Sequence, residues 1–267
     1  MPLLHLLLVA VIQGITEFLP ISSSGHLILL PQLTGLDDQG LAIDVAVHVG
    51  TLFAVCLYFW GDVKVAVHGA GRLIRGKVDT QAAFLALCLA TATVPVLIAG
   101  LALKLAGIDE ALRSVAVIGW TMLIFGIVLW WADLKSPQSR PAGEWSLRHA
   151  VIMGLWQVLA LIPGTSRAGI TITGARFLGY ERHDAAKLSM LMAIPVILAS
   201  GLLLAADVVG QADMALARDA TIAAAFAFLA ALLALSVMMP LARRISFTPY
   251  VIYRVVLGLV LLWVAYT

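Results

Sequence analysis

Residues 10–26 read AVIQGITEFLPISSSGH, and residues 150–169 read AVIMGLWQVLALIPGTSRAG. The two stretches open on the same Ala-Val-Ile-x-Gly step, at Ala10 and Ala150, and both run through a proline into hydroxyl side chains and a glycine. The neighbouring sequence is hydrocarbon. Polar and ionisable groups written twice into an apolar chain mark the place where function is expected, because their desolvation is costly without a use.

Composition sets the solvent. Of 267 residues, 62% are hydrophobic and 12% charged, and the mean hydropathy is +1.01. An apolar helix of about twenty residues crosses a hydrocarbon core of about 30 Å. Stretches of that length lie near 41–60, 82–103, 113–132, 186–206, 220–239 and 249–266. The chain reads as a multi-pass integral membrane protein. No Lys or Arg precedes Lys64, so the start lacks the basic region of a cleavable signal and is expected in the mature fold. Cys56 and Cys88 follow no metal-ligand spacing and read as small buried hydrophobes. A net charge of +2 gives no footing for nucleic-acid binding.

The basic residues follow topology. Segments 61–81, 132–149, 178–187 and 240–249 hold eleven Lys and Arg, against three in 31–40, 104–113 and 207–219. The first group is therefore expected on the cytoplasmic side. With six crossings so placed, residues 1–40 begin and end outside and residues 149–187 begin and end inside. Each motif segment is then expected to enter the membrane and return. Irregular backbone at that depth is tolerated only inside protein or beside a wet cavity. One re-entrant segment followed by three crossings, an odd number, inverts the second half. The expected fold is all-α: six transmembrane helices plus two re-entrant helical segments in a single domain. It comprises an inverted-topology repeat with halves 1–140 and 141–267, whose polar tips share one cavity.

In the first tip, Gln13 and Glu17 are four residues apart and share a helical face, and Pro20 ends the helix. Ser22, Ser23, Ser24 and Gly25 form a turn with hydroxyls and free backbone donors, and Ser24 is placed to cap a helix starting near His26. A serine three residues from a histidine supplies a nucleophile and a proton carrier, with a carboxylate to orient the histidine or hold a cation. In the second tip, Gly164, Thr165, Ser166, Arg167 and Thr171 carry the pattern of an anion site. It combines a glycine for close backbone approach, hydroxyls, and a planar guanidinium fork matching two phosphate oxygens. Arg167 is also a natural neutralising partner for Glu17.

The pattern Gln13-x-x-x-Glu17, then Phe18 to His26, with Pro163 to Arg167 later, resembles the bacterial undecaprenyl-diphosphate phosphatase family. The resemblance extends over essentially the whole chain. It implies an enzyme of the bacterial inner membrane that hydrolyses undecaprenyl diphosphate to undecaprenyl phosphate and inorganic phosphate. That reaction recycles the lipid carrier for peptidoglycan synthesis and confers bacitracin resistance. It implies catalytic roles for Glu17, Ser23, His26 and Arg167, and substrate contacts from Gln13, Ser22, Ser24, Gly164, Thr165, Ser166 and Thr171. A divalent cation, Mg²⁺ or Ca²⁺, belongs to the same implication, with Glu17 its protein ligand. Gln13 stands where the family often has a glutamate, which leaves one carboxylate fewer for a cation. Ala168 stands where a serine often follows the arginine.

Spacing leaves the roles open: His26 or Glu17 as base, and Ser23, Ser22, His26 or a water as attacking group, with Ser23 attacking and His26 accepting the preferred pair. Seven tryptophans fall mostly near helix ends, where indoles favour the membrane interface. His48 is expected as a structural histidine paired with Asp44, and Arg176 and Arg254 as cations snorkelling from helix ends. Small residues including Gly119, Gly126 and Ala223 to Ala225 allow tight packing and self-association, with a homodimer as the expected assembly. The rival reading is a transporter or flippase of a phosphorylated lipid using the same cavity, since inverted repeats also build transporters.

Overall fold

A computed structural model describes residues 2–35, 38–107, 111–208 and 214–267. Eleven α-helices are described and, among the described residues, no strand. They are α1 (Leu3–Thr16), α2 (Ser23–Thr34), α3 (Leu41–Tyr58), α4 (Trp60–Ile74), α5 (Gln81–Ala106), α6 (Val115–Lys135), α7 (Leu147–Val158), α8 (Arg167–Phe177), α9 (Arg182–Val208), α10 (Met214–Leu241) and α11 (Thr248–Tyr266).

Six segments are long and apolar enough to cross a membrane, in α3, α5, α6, α9, α10 and α11. They coincide with the six expected stretches, and the chain is a multi-pass membrane protein. Their outward faces carry exposed hydrocarbon, such as Phe53, Ile98, Leu202, Leu233 and Trp263. One difference lies in 61–81, expected as a loop. Much of it is α4, with polar and basic residues among its apolar ones, packed along α5.

The four helices that flank the two motifs are short: 14 residues in α1, 12 in α2, 12 in α7 and 11 in α8. At about 1.5 Å per residue none reaches across a 30 Å core. Their packing is paired. α1 lies on α10 and α7 on α5, while α6 lies against α11 and α3 against α9. The shared Ala-Val-Ile-x-Gly step explains the first pairing. A Cβ on Gly14 would stand 2.6 Å from the Ala227 carbonyl oxygen, and one on Gly154 would stand 2.6 Å from the Ala92 carbonyl oxygen. Only glycine lets the backbones approach so closely.

Other small residues are used in the same way. Gly119 meets Gly258 and Leu262, Gly126 meets Arg254, and Gly50 meets Ala224. Gly119, Gly126 and Ala224 are thus occupied by packing within the chain, which removes their part of the case for self-association. The tryptophans are mostly exposed, but Trp145 is buried in the main core cluster.

Candidate active site

Both motif turns are built alike. α1 stops after Thr16, with Glu17 at its C-cap; Pro20 follows, and Ser22 opens α2 with φ 75°. α7 stops at Val158, a 3₁₀ turn and Pro163 follow, and Ser166 opens α8 with φ 70°. These two serines are the only non-glycine residues with positive φ among the described residues. Each caps its helix by the same bond: Ser22 Oγ accepts from Gly25 N at 3.3 Å and Ser166 Oγ from Gly169 N at 3.1 Å. A strained backbone held by an identical cap in both turns fixes the residue that follows. Those residues are Ser23 and Arg167, the first of α2 and α8.

The two turns meet at Glu17. Its Oε1 accepts from Arg167 Nη2 at 2.6 Å, and its Oε2 accepts from Ser23 Oγ at 2.6 Å and from Gln13 Nε2 at 2.9 Å. Glu17 and Gln13 are buried, whereas Ser23 and Arg167 remain partly open. The candidate nucleophile, carboxylate and guanidinium thus form one connected group.

His26 is placed differently from the expected serine–histidine pair. Its Nδ1 bonds the Ser22 carbonyl at 2.6 Å, and its Nε2 meets Tyr253 Oη at 2.5 Å, the two rings stacking 8° from parallel. Both ring nitrogens are occupied, and the proton acceptor touching Ser23 is Glu17. The i+3 spacing from Ser23 puts the two residues on one side of α2 without joining them. Tyr253, on α11, was not among the sequence candidates, and no local pattern marks it.

The remaining expected contacts divide. Ser24 is exposed beside Ser22, 3.3 Å between hydroxyls. Thr165 is fully buried in the second turn, its hydroxyl unpartnered, while the Gly164 and Thr165 carbonyls face Arg254. Ser22 and Ser166 are buried and spend their oxygens on caps. Thr171 turns away: it donates to the Arg167 carbonyl and meets Ser189 Oγ of α9 at 2.6 Å. It secures α8 and has no bond to Glu17 or Ser23.

His48 has its expected partner in Asp44, whereas two further side chains differ from expectation. His48 bonds the Asp44 main-chain carbonyl at 2.7 Å, not its carboxylate, and its Nε2 lies 4.0 Å from Glu17 Oε2. Arg176 and Arg254 do not snorkel, since both are fully buried. Arg176 is tied to Asp133 at 3.1 Å, along with Arg182 at 2.7 Å, and to loop carbonyls. Asp133 also accepts from Phe247 N, so this knot is structural. Arg254 binds the motif turns themselves.

Buried polar atoms without a partner call for an explanation. Among the described residues, eight buried side-chain polar atoms have no partner, and four lie at the two turns or the residues that bind them: Gln13 Oε1, Thr165 Oγ1, Arg167 Nη1 and Arg254 Nε. They are three donors and an acceptor. No trio of His, Cys, Asp or Glu able to hold a metal occurs among the described residues. Gln13, whose Nε2 bonds Glu17, leaves its Oε1 unpartnered; that oxygen and the Glu17 carboxylate are hard donors of the kind Mg²⁺ or Ca²⁺ takes, too few without a ligand to complete the shell.

Comparison with known proteins points the same way. Residues 6–260 match the family model described as bacitracin resistance protein BacA. The chain is 73% identical to the undecaprenyl-diphosphatase of Dinoroseobacter shibae over 267 residues, covering 100% of both chains. It is 64% identical to that of Ruegeria pomeroyi, again over 100% of both. With that of Saccharophagus degradans it shares 44% identity over 260 residues, 97% of this chain and 96% of the relative. The motif turns, their meeting at Glu17 and these full-length matches agree: this chain belongs to the BacA family.

Proposed function

We propose that this protein is an undecaprenyl-diphosphate phosphatase of the bacterial cytoplasmic membrane, returning the lipid carrier to peptidoglycan synthesis and so conferring bacitracin resistance. The observation that carries the reading is the Ser23–Glu17–Arg167 group, with a hydroxyl and a guanidinium on opposite oxygens of one carboxylate. A transporter needs anion donors but no hydroxyl held against a buried base, so this group favours hydrolysis.

The chemistry follows from those contacts. The unpartnered Nη1 of Arg167 takes an oxygen of the terminal phosphate, whose charge draws the guanidinium from Glu17. Ser23 Oγ then attacks phosphorus while Glu17 takes its proton, and the bond to the bridging oxygen breaks. Undecaprenyl phosphate leaves, carrying the proton from Glu17. Water attacks the phosphoserine, giving a proton to the freed carboxylate, which returns it to Ser23 Oγ as inorganic phosphate departs. Arg167 and nearby backbone stabilise the charge on the phosphoryl oxygens throughout. The isoprenoid tail stays in the bilayer, so no soluble binding domain is needed. A divalent cation, where used, would be held by Gln13 Oε1, Glu17 and substrate phosphate oxygens, and when bound would offset phosphate charge.

The test is phosphate release from undecaprenyl diphosphate by purified protein in detergent. Release by wild type, lost in folded Arg167→Ala, is the expected result. A folded wild type that releases no phosphate, with Mg²⁺, Ca²⁺ or neither, overturns the enzyme reading and favours lipid transport.

A further inference from the structure

Arg254 lies outside both motifs, in the middle of α11, yet it touches both turns. Its Nη2 donates to the carbonyls of Thr165 at 2.8 Å and Gly164 at 3.1 Å, with a longer approach to Thr121 of α6 at 3.4 Å. Its Nη1 approaches the Pro20 carbonyl of the first turn at 3.4 Å. The side chain is 0% exposed. Space for it is kept by Gly169, where a Cβ would stand 2.8 Å from Nη1.

The charge is the unusual part. Asp133 balances Arg176, and Glu17 balances Arg167, but among the described residues no carboxylate pairs with Arg254, only carbonyl dipoles, and its Nε is left without a partner. An uncompensated buried cation is costly and persists where something recovers the cost. An ion pair already neutralises the other site arginine, so the protein's own groups leave one uncompensated positive charge directly behind both turns. The missing counter-charge matches an anion arriving in front of them.

From this we infer that Arg254 is a positioning residue with two tasks. It latches the two turns so that Ser23 and Arg167 face one point, and it supplies the standing charge that draws the diphosphate group into the membrane. The inference rests on the phosphatase reading for its substrate, though not for its anion.

The test compares Arg254→Lys, which keeps the charge but not the planar fork, with Arg254→Met, which keeps the stem but not the charge. Two readouts are taken on full-length protein in detergent: affinity for inorganic pyrophosphate in a Ser23→Ala background, and kcat and KM for undecaprenyl diphosphate. Arg254→Met is expected to weaken pyrophosphate binding more than tenfold. Arg254→Lys should bind within about threefold of the parent yet lose at least tenfold in kcat, since an ammonium cannot span both turns. A purely structural role would instead lower stability in both and leave the folded fraction with parental affinity, which overturns the inference. If Arg254→Met fails to fold, Gly169→Ala takes its place, because its methyl displaces the guanidinium. Folded Gly169→Ala with parental kcat and affinity also overturns it. If wild type proves inactive while pyrophosphate binding still depends on Arg254, the phosphatase reading fails and the anion site stands.

Discussion

Replacing Glu17 with glutamine changes almost no volume but removes the charge on which both turns converge. Ser23 Oγ loses its proton acceptor at 2.6 Å; a glutamine there offers a neutral oxygen or an amide, and neither takes a proton. A positioned general base contributes about 10²- to 10⁴-fold, or about 3–6 kcal/mol at about 1.4 kcal/mol per tenfold. Arg167 also loses its anion, in a pair whose side chains are 16% and 6% exposed. Removing one partner of a buried pair costs about 3–5 kcal/mol. The lower end applies here, since the glutamine oxygen still accepts one N–H and Arg167 is partly open. Glu17→Gln should therefore be less stable but folded, and at least a hundredfold slower at saturating substrate. The assay is phosphate release against a thermal unfolding scan of the same preparation. The reasoning is refuted if folded Glu17→Gln keeps more than a tenth of wild-type kcat. It is equally refuted if His26→Asn costs a hundredfold while Glu17→Gln costs under tenfold, because His26 would then be the base.

The neighbouring serines should separate cleanly. Ser23→Ala should abolish phosphate release with little change in stability, while Ser22→Ala should cost about 1 kcal/mol as a lost cap and keep measurable turnover; the reverse order would make Ser22 the nucleophile. Gly14→Ala and Gly154→Ala each force a methyl against a carbonyl 2.6 Å away, so each should destabilise by about 1–3 kcal/mol, read as a lower midpoint of thermal unfolding in detergent. Chelation with EDTA should slow turnover without lowering the unfolding midpoint, because the protein offers a cation few oxygens of its own; a fall in the midpoint would instead point to a cation built into the fold.

Much of this was legible in the chain because hydropathy and helix breaking are local properties. A crossing such as Val115–Lys135 needs only a run of apolar residues, and Pro20 and Pro163 do fall in the breaks that follow α1 and α7, whereas Pro31, Pro95, Pro195 and Pro240 sit inside helices. Glu17, Ser23 and Arg167 stood out because a charge or hydroxyl in an apolar segment is visible one residue at a time. Which acceptor Ser23 touches was not legible. His26 and Glu17 both lie close to Ser23 in sequence, and only the turn at Ser22, with its positive φ, aims Ser23 at Glu17 and His26 at Tyr253. Arg176 and Arg254 looked alike as cations near helix ends; that both are buried, one against Asp133 and one against the motif turns, depends on which helices pack around them.

Hydropathy and its two polar interruptions are enough to specify a membrane-embedded helical protein with two polar tips, because burial of hydrocarbon and the cost of breaking a helix are set residue by residue. Only the packed helices show that the tips meet at one carboxylate, that this carboxylate and not His26 touches Ser23, and that a third helix bonds both turns. Those are distances between groups far apart along the chain, and the close backbone packing of the helices sets them.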